Sequence, residues 1–266
     1  MRKFKEITDY MDKFCPQSLA FNGDNVGLIE GRAEKEVSKI LLTLDVDEAV
    51  VKEAADVNAD AIISHHPLMF HAIKRLLPTD PMQKTLIALV SGDIPLYSAH
   101  TNLDCVQGGL NDFLAEMLGI TDTKVIEVVA EINSCEHGYG RIGQVADGTT
   151  LSDMLDRCIN ALGAGFVKYV GNKEKTVKTV AVNCGGGADA IDECIRLGAD
   201  LFITGDVKYN PGRDCYDNGM ALIDAGHYET EHIVCELLHN VLSKEFPDVE
   251  FVISKANVPV FDVYYR

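Results

Sequence analysis

The sequence predicts an α/β fold built from two similar αβ domains, the product of a duplicated module. Three observations support this fold class. Apolar runs rich in β-branched residues alternate with segments of helical periodicity. Residues 49–66 align with residues 189–206 without a gap. In each half, a short apolar run also leads into a histidine that is followed four residues later by a carboxylate.

The first half of the chain begins with an amphipathic helix pattern, MRKFKEITDYMDKF. Strands are then predicted at KILLTLDV, ADAIISHH and DIPLYSAH, and helices at DEAVVKEAADVN, MQKTLIALVSG and GGLNDFLAEMLG. Each predicted strand is separated from the next by a helix, as parallel neighbours require. A parallel sheet covered by helices is therefore expected.

A glycine-rich stretch, GYGRIGQV, begins a second alternation near residue 138. Strands are predicted at TVAVNCGGG, ADLFITGDV and MALIDAGH, and helices at ADAIDECIRLG and TEHIVCELLHNVLSKEF. The predicted domains are residues 1–128 with 249–266, and residues 129–248.

The internal repeat contains four identities in eighteen positions, a number that chance alone can produce. The identical pairs are Glu53 with Glu193, Ala59 with Ala199, Asp60 with Asp200 and Ile63 with Ile203. The polar pairs that follow carry more weight: His100 with Asp104, and His227 with Glu231. Open α/β sheets bind ligands beyond the carboxyl ends of their strands, so the two copies are expected to face each other across a cleft.

Two adjacent histidines, His65 and His66, end another predicted strand. If the strand ends there, both imidazoles can turn toward one cleft. With the two histidine–carboxylate pairs, the chain offers three to four imidazoles and two carboxylates, which suits two ions better than one tetrahedral ion. A dinuclear site in the cleft between the domains, holding zinc, iron, manganese or nickel, is predicted. The alternatives are hydrogen-bonded core histidines and an acid-rich cleft without metal.

The composition narrows the possible partners. The chain has 24 basic and 41 acidic residues, a net charge of −17, which attracts metal cations and makes nucleic acid an unlikely partner. No apolar stretch reaches the roughly 20 residues that cross a bilayer, and the start lacks the apolar block of a signal peptide, so no membrane partner and a cytoplasmic location are expected. The eight scattered cysteines are expected to be buried thiols.

Two further motifs have alternative interpretations. The glycines in NCGGGAD, Gly185 to Gly187, follow a strand and either bind an anion through their amide groups or simply form a tight turn. In DNVGL, Asp24 is either part of a turn, as a helix cap, or an outer partner of the metal site, and the turn is favoured.

The motifs SHHP at 64–67, SAHTNLD at 98–104, GH at 226–227 with Glu231, and DNVGL at 24–28 together resemble the Nif-three-like family. Its members are also known as type 2 GTP cyclohydrolase I homologues. The resemblance implies two αβ domains, a dinuclear metal centre and a homohexameric ring, or toroid. It also implies that His65, His66, Asp104, His227 and Glu231 are the metal ligands, with His100 beside the ions as a catalytic proton carrier or a further ligand.

The expected function is that of a metal-dependent hydrolase of the GTP cyclohydrolase I type 2 kind, using a metal-activated water on a small-molecule substrate, with a nucleotide as one candidate. The alternative is a non-catalytic metal-binding regulatory or interaction protein, since the family takes its name from an interaction with a transcriptional regulator. A ring that threads DNA conflicts with the negative charge.

Overall fold

Short strands alternate with helices along the computed structural model, which describes residues 1–264. The strands are β1 (Arg2–Lys3), β2 (Gly27–Glu30), β3 (Glu36–Val37), β4 (Lys39–Thr43), β5 (Ala61–Ser64), β6 (Leu96–Ser98), β7 (Thr121–Ile132), β8 (Cys135–Gln144), β9 (Lys168–Val170), β10 (Thr179–Val182), β11 (Leu201–Thr204), β12 (Ala221–Asp224) and β13 (Glu250–Ile253). The helices are α1 (Phe4–Phe14), α2 (Glu48–Asp56), α3 (Pro81–Gly92), α4 (Thr101–Cys105), α5 (Leu110–Met117), α6 (Leu151–Leu162), α7 (Ile191–Arg196), α8 (Tyr209–Asp217), α9 (His227–Glu231) and α10 (Val234–Glu245).

The chain divides into two units by its internal contacts. The first unit comprises residues 1–103 and 234–261, and the second comprises residues 104–233 with 262–264. The sequence analysis places the divisions later, after residues 128 and 248. The difference has a structural reason: α5 packs on β7 and β8 of the second unit, whereas α10 packs on β4 and β13 of the first.

The first unit is built on a five-stranded sheet with the order β13-β4-β5-β6-β2. The first four strands of that order are parallel, and β2 is antiparallel to β6. One side of the sheet packs against α2 and α3 through a buried apolar cluster that includes Leu41, Val50, Ile62 and Leu89. α2 begins at a cap in which the Asp47 carboxylate accepts a hydrogen bond from the Val50 amide.

The second unit is built on a six-stranded sheet with the order β7-β8-β10-β11-β12-β9. Only β10, β11 and β12 are mutually parallel; β8 and β9 are antiparallel to their neighbours, and β7 and β8 form a long hairpin. Both sheets are therefore mixed. The prediction of parallel sheets is right for β13-β4-β5-β6 and for β10-β11-β12. Ala181, Phe202 and Leu222 of those strands pack with α7 and α8 in a second apolar cluster.

The two units repeat the same substructure, which confirms the predicted α/β fold of two similar units. In each, three parallel strands are followed at one edge by an antiparallel strand, β4-β5-β6-β2 in the first unit and β10-β11-β12-β9 in the second. The repeat extends to single hydrogen bonds. Asp60 Oδ2 accepts from the amides of Ser38 and Lys39, and Asp200 Oδ2 accepts from those of Lys178 and Thr179.

The strand registers show that the two histidine–carboxylate pairs are offset by one residue. The Ala99 amide donates to the Ser64 carbonyl, and the Ala225 amide donates to the Thr204 carbonyl. Ala99 and Ala225 are thus equivalent, so that His100 corresponds to Gly226 and not to His227. Gly226 has a φ of +96°, a conformation that favours glycine, and the second copy has one more residue than the first between this alanine and its histidine.

Within residues 1–264, no helix combines the length and the apolar character that crossing a membrane requires. Every cysteine except Cys135 is buried, as the sequence predicts, and no disulfide joins them.

Candidate metal centre

Three imidazoles meet at the carboxyl ends of two strands in the first unit. His65 and His66 come directly after β5, and His100 lies two residues after β6. Their ring centroids are 5.2 to 5.4 Å apart. One ring nitrogen from each lies within 4.8 Å of the other two, a spacing that can hold a metal ion. Neighbouring residues on a regular strand point to opposite faces, so this convergence depends on β5 ending at Ser64.

The two adjacent histidines are each fixed through Nδ1. Nδ1 of the fully buried His65 lies 2.7 Å from the carbonyl oxygen of Ala99. A carbonyl can only accept, so this nitrogen carries the proton and the neutral ring keeps its lone pair on Nε2. Nδ1 of His66 lies 2.8 Å from Oδ1 of Asp45. Both rings therefore present Nε2 as the ligand atom.

His100 is held in the same way by Asp24, whose two carboxylate oxygens both lie 2.9 Å from Nδ1 of the ring. The hydroxyl of Thr101 donates to the same carboxylate at 2.5 Å. Burial raises the pKa of Asp24, but the hydrogen bonds from His100 and Thr101 outweigh it and hold that pKa well below its usual range. Asp24 is therefore an anionic partner of His100, and it also accepts a local hydrogen bond from the Asn25 amide, so both interpretations of DNVGL have contacts that support them.

In the second unit, His227 and Glu231 are the first and last residues of α9. His227 Nε2 lies 2.9 Å from Glu231 Oε2, and its Nδ1 lies 2.8 Å from Asp206 Oδ2. The hydrogen bond to Glu231 raises the pKa of His227 to about 9, although burial opposes it. The sequence predicts this pair on the first turn of one long helix. The pair does share a helical turn, but α9 ends before α10 begins at Val234.

Asp104 is buried in the second unit beside a cysteine that the sequence analysis does not single out. The Cys184 thiol donates to Asp104 Oδ1 at 3.3 Å. Asn111 joins the two segments, because its amide group donates to the Asp104 carbonyl and its Oδ1 accepts from the Cys184 amide. Burial, together with the negative charges of Asp104 and Glu231, raises the pKa of Cys184 well above its ordinary value. Cys184 is therefore a neutral donor that fixes the Asp104 carboxylate.

The glycine loop after β10 packs directly against the α9 ligands. The Gly185 amide donates to the Thr230 hydroxyl at 2.9 Å, and the Gly187 amide donates to the Thr204 hydroxyl at 2.9 Å. These amides are therefore bonded within the protein, which favours the tight turn over an anion cradle. A Cβ at Gly185 would lie 2.0 Å from Glu231 Oε1, so glycine is needed for the close approach.

The chemistry of these donors fits a divalent metal ion. All four histidines have Nδ1 next to a protein oxygen, namely Ala99 O for His65, Asp45 for His66, Asp24 for His100 and Asp206 for His227. Metal-binding histidines use their second ring nitrogen in this manner, which fixes the tautomer and raises ligand basicity. The sequence analysis misses Asp45 and Asp206. Each lies two residues beyond a strand end, which is a signal that could have identified them.

The remaining histidines take no part in these groups. His137 accepts a hydrogen bond from the Gln107 amide, and His232 stacks on Tyr228 at a centroid distance of 5.1 Å. His71 and His239 lie in the 65–80 loop and on α10, respectively.

Comparison with known proteins identifies the family of this chain. The family described as Duf34/NIF3 (NGG1p interacting factor 3) matches residues 2–259. The chain belongs to the Duf34/NIF3 family. The resemblance that the four sequence motifs indicate is thereby confirmed.

Relatives of this Duf34/NIF3 chain cover nearly its whole length. A protein of Clostridium perfringens named GTP cyclohydrolase 1 type 2 homolog is 35% identical over 254 residues, which are 95% of this chain and 96% of that protein. A Clostridium acetobutylicum protein of the same name is 32% identical over 262 residues, 96% of this chain and 97% of that protein. The chain is thus similar in extent to these relatives.

Solved structures share the fold. The Staphylococcus aureus protein SA1388 has a TM-score of 0.91 and 26% identity, covering 99% of both chains. HcgD from Methanocaldococcus jannaschii has a TM-score of 0.79 and 30% identity, covering 95% of this chain and 97% of its own. The αβ architecture described above is therefore that of the family.

Proposed function

We propose that this Duf34/NIF3 protein is a metal-dependent hydrolase that binds two divalent ions per chain through His65, His66, Asp104, His227 and Glu231. The observation that carries the proposal is the Nδ1 hydrogen bond to a protein oxygen that the three histidines among these residues share. Imidazole with carboxylate suits zinc, iron, manganese or nickel. When bound, such ions supply Lewis acidity, which polarises a substrate oxygen and makes water a stronger nucleophile near neutral pH.

His100 has the role of a proton carrier in this proposal. Its Nδ1 hydrogen bonds to Asp24 orient the ring and leave Nε2 to accept or donate a proton. Both oxygens of the Asp24 carboxylate lie in direct contact with the ring and fix its orientation. Asp24 is therefore a positioning residue for His100.

The proposed substrate is a small molecule, with a nucleotide such as GTP as the first candidate. Support comes from the name GTP cyclohydrolase 1 type 2 homolog, which the bacterial relatives carry. We also propose a homohexamer, which the resemblance of the sequence motifs to the family implies, and a cytoplasmic location. Light scattering after size-exclusion chromatography tests the hexamer, because six chains of 29.1 kDa give a mass that a monomer or dimer does not approach.

The metal proposal is tested by elemental analysis of the purified chain beside a His65→Ala variant. About two ions per chain are expected for the parent, with a clear loss in the variant. His239→Ala, on α10, is the matched control and should retain the full metal content. Equal metal content in all three proteins contradicts the ligand assignment.

The hydrolase proposal has its own test. The metal-loaded chain is incubated with GTP and with a panel of phosphoesters and cyclic amides, and the products are separated by chromatography. Turnover that disappears with His100→Ala while the metal content stays unchanged supports catalysis. Failure to turn over any substrate, with every position on the ions saturated by protein ligands, favours a regulatory or interaction role.

A further inference from the structure

We infer that a pocket of the second unit, beside α8, binds the aromatic ring and the negative group of a nucleotide-like ligand. The pocket has a volume of about 360 Å³, within the roughly 300–1,000 Å³ that is usual for small-molecule sites. The inference rests on the proposed function in treating this ligand as the substrate of the metal centre. The character of the ligand is argued from the pocket itself.

Aromatic side chains surround an apolar floor. Leu222 of β12 lies at the floor and is 2% exposed. Tyr169, Tyr209 and Tyr216 line the pocket with 45%, 80% and 64% of their surfaces exposed. Large exposed tyrosines around an apolar floor favour a planar ring, because stacking on a phenol buries apolar area and leaves the hydroxyl in water.

Basic side chains line the same pocket, although the chain as a whole is strongly acidic. Lys168 forms a salt bridge with the buried Asp224, and Arg213 pairs with Asp217. Among residues 1–264, no carboxylate lies within salt-bridge distance of the exposed Lys208 ammonium, which also lines the pocket. An anionic group such as phosphate supplies the missing partner. An aromatic ring that carries phosphate meets both requirements.

Gly212 shows that the pocket is kept open. It lies inside α8, and its φ is outside the left-handed region, so the backbone does not require glycine. A Cβ there would meet Val170 at 3.8 Å and Leu222 at 3.9 Å, which are ordinary contacts. Alanine would favour the helix more than glycine does. The glycine therefore leaves space in the pocket that a larger side chain would fill.

Some residues that line the pocket are close in sequence to residues that contact the proposed ligands of α9. Val207 lines it, and the preceding residue, Asp206, accepts the hydrogen bond from Nδ1 of His227. Asp224 lines it as well, and Asp224 Oδ1 accepts from the amide of Gly226, the residue before His227. The segments that line the pocket, 206–207 and 224, thus also contact the start of α9.

The test measures binding to the full chain after removal of metal with a chelator, so that the pocket is examined without the ions. GMP, guanosine and inorganic phosphate are titrated by isothermal calorimetry. GMP is expected to bind roughly tenfold more tightly than guanosine, because only GMP reaches Lys208 with an anion. Inorganic phosphate should compete with GMP but weakly, since it lacks the ring.

Two pairs of variants identify the binding surface. Gly212→Leu fills the floor and is expected to weaken GMP and guanosine by roughly tenfold or more, whereas Gly165→Leu, at an exposed glycine with open space, should not. Lys208→Glu should remove the preference for GMP over guanosine, and Lys173→Glu, with the same change in net charge, should leave it. Gly212→Ala keeps α8 helical if the leucine variant fails to fold.

The outcomes separate this inference from the metal proposal. If neither GMP nor guanosine binds, if Gly212→Leu binds both as the parent does, or if Lys208→Glu keeps the preference for GMP, the pocket assignment is overturned even when the chain holds its ions. If the ligands bind as expected but elemental analysis finds no metal under any loading condition, the proposed function fails and the pocket stands.

Discussion

Replacing Gly185 by alanine tests how closely the glycine loop controls the metal ligands. Gly185 has a φ of +61°, and its new Cβ would lie 2.0 Å from Glu231 Oε1. To reach a contact of 3.4 Å the carboxylate must retreat by about 1.4 Å. Metal–ligand distances tolerate only about 0.2 Å, so Glu231 is lost as a ligand in its present position.

The magnitude follows from these two effects. An alanine in the left-handed region costs about 1–2 kcal/mol, which lowers the melting temperature by about 2–4 °C per kcal/mol in a chain of this size. Displacement of Glu231 should weaken metal binding by at least the roughly 10–100-fold seen when a hydrogen-bonding partner of a ligand is lost. Calorimetric melting of the metal-free chain and competition with a chromophoric chelator measure the two effects separately.

Gly186→Ala is the matched control. A Cβ at Gly186 would lie 3.8 Å from Asp206 and 3.9 Å from His227, both ordinary contacts, and φ there is not positive. This variant should bind metal as the parent does. If Gly185→Ala and Gly186→Ala have equal metal affinities, the claim that the loop holds Glu231 in place is refuted.

Two further predictions use equivalent residues of the repeat. Glu53 accepts hydrogen bonds from Ser254 and the Lys255 amide. Burial raises the pKa of Glu53, but these hydrogen bonds outweigh burial and lower it below the ordinary value. The bonds therefore stabilise the folded state above the unfolded pKa, and this stabilisation is lost as the pH falls through the folded pKa. Glu53→Gln should therefore destabilise the chain by about 0.5–1 kcal/mol at pH 7, given partial exposure, and by progressively less as the pH falls through the folded pKa. Glu193→Gln removes only a surface ion pair with Arg196 and should cost less than Glu53→Gln at pH 7 in urea unfolding. Asp60→Ala and Asp200→Ala each remove an acceptor of two backbone amides and should cost about 1–3 kcal/mol each in the same assay. If only one of the two variants is less stable than the parent, the equivalent hydrogen bonds do not contribute equally to stability.

The central strands and the positions of the histidines at strand ends could be predicted because their signals are local. β4, β5 and β6 are short apolar runs, fully buried over most of their length. His65 and His66 follow one such run directly, so their position at a strand end could be derived without the fold.

Other features depend on tertiary context. β7 is largely exposed and is held by its hairpin partner β8, so it lacks the apolar signal of the central strands. The antiparallel edges β2 and β9 depend on pairing partners that periodicity does not reveal. The roles of Asp45 and Asp206 arise from contacts with His66 and His227 across 21 residues of sequence in each case.

The discontinuous first unit has a consequence for synthesis on the ribosome. β13 pairs with β4, Glu250 opposite Lys39, so one edge of the first sheet is completed by a strand that is made long after β4. Residues 104–233 are continuous and can finish folding as soon as they have emerged. Until α10 and β13 follow, β4 offers an unpaired edge to other nascent chains and to chaperones. In this protein the later-made unit is thus able to mature before the one that begins the chain.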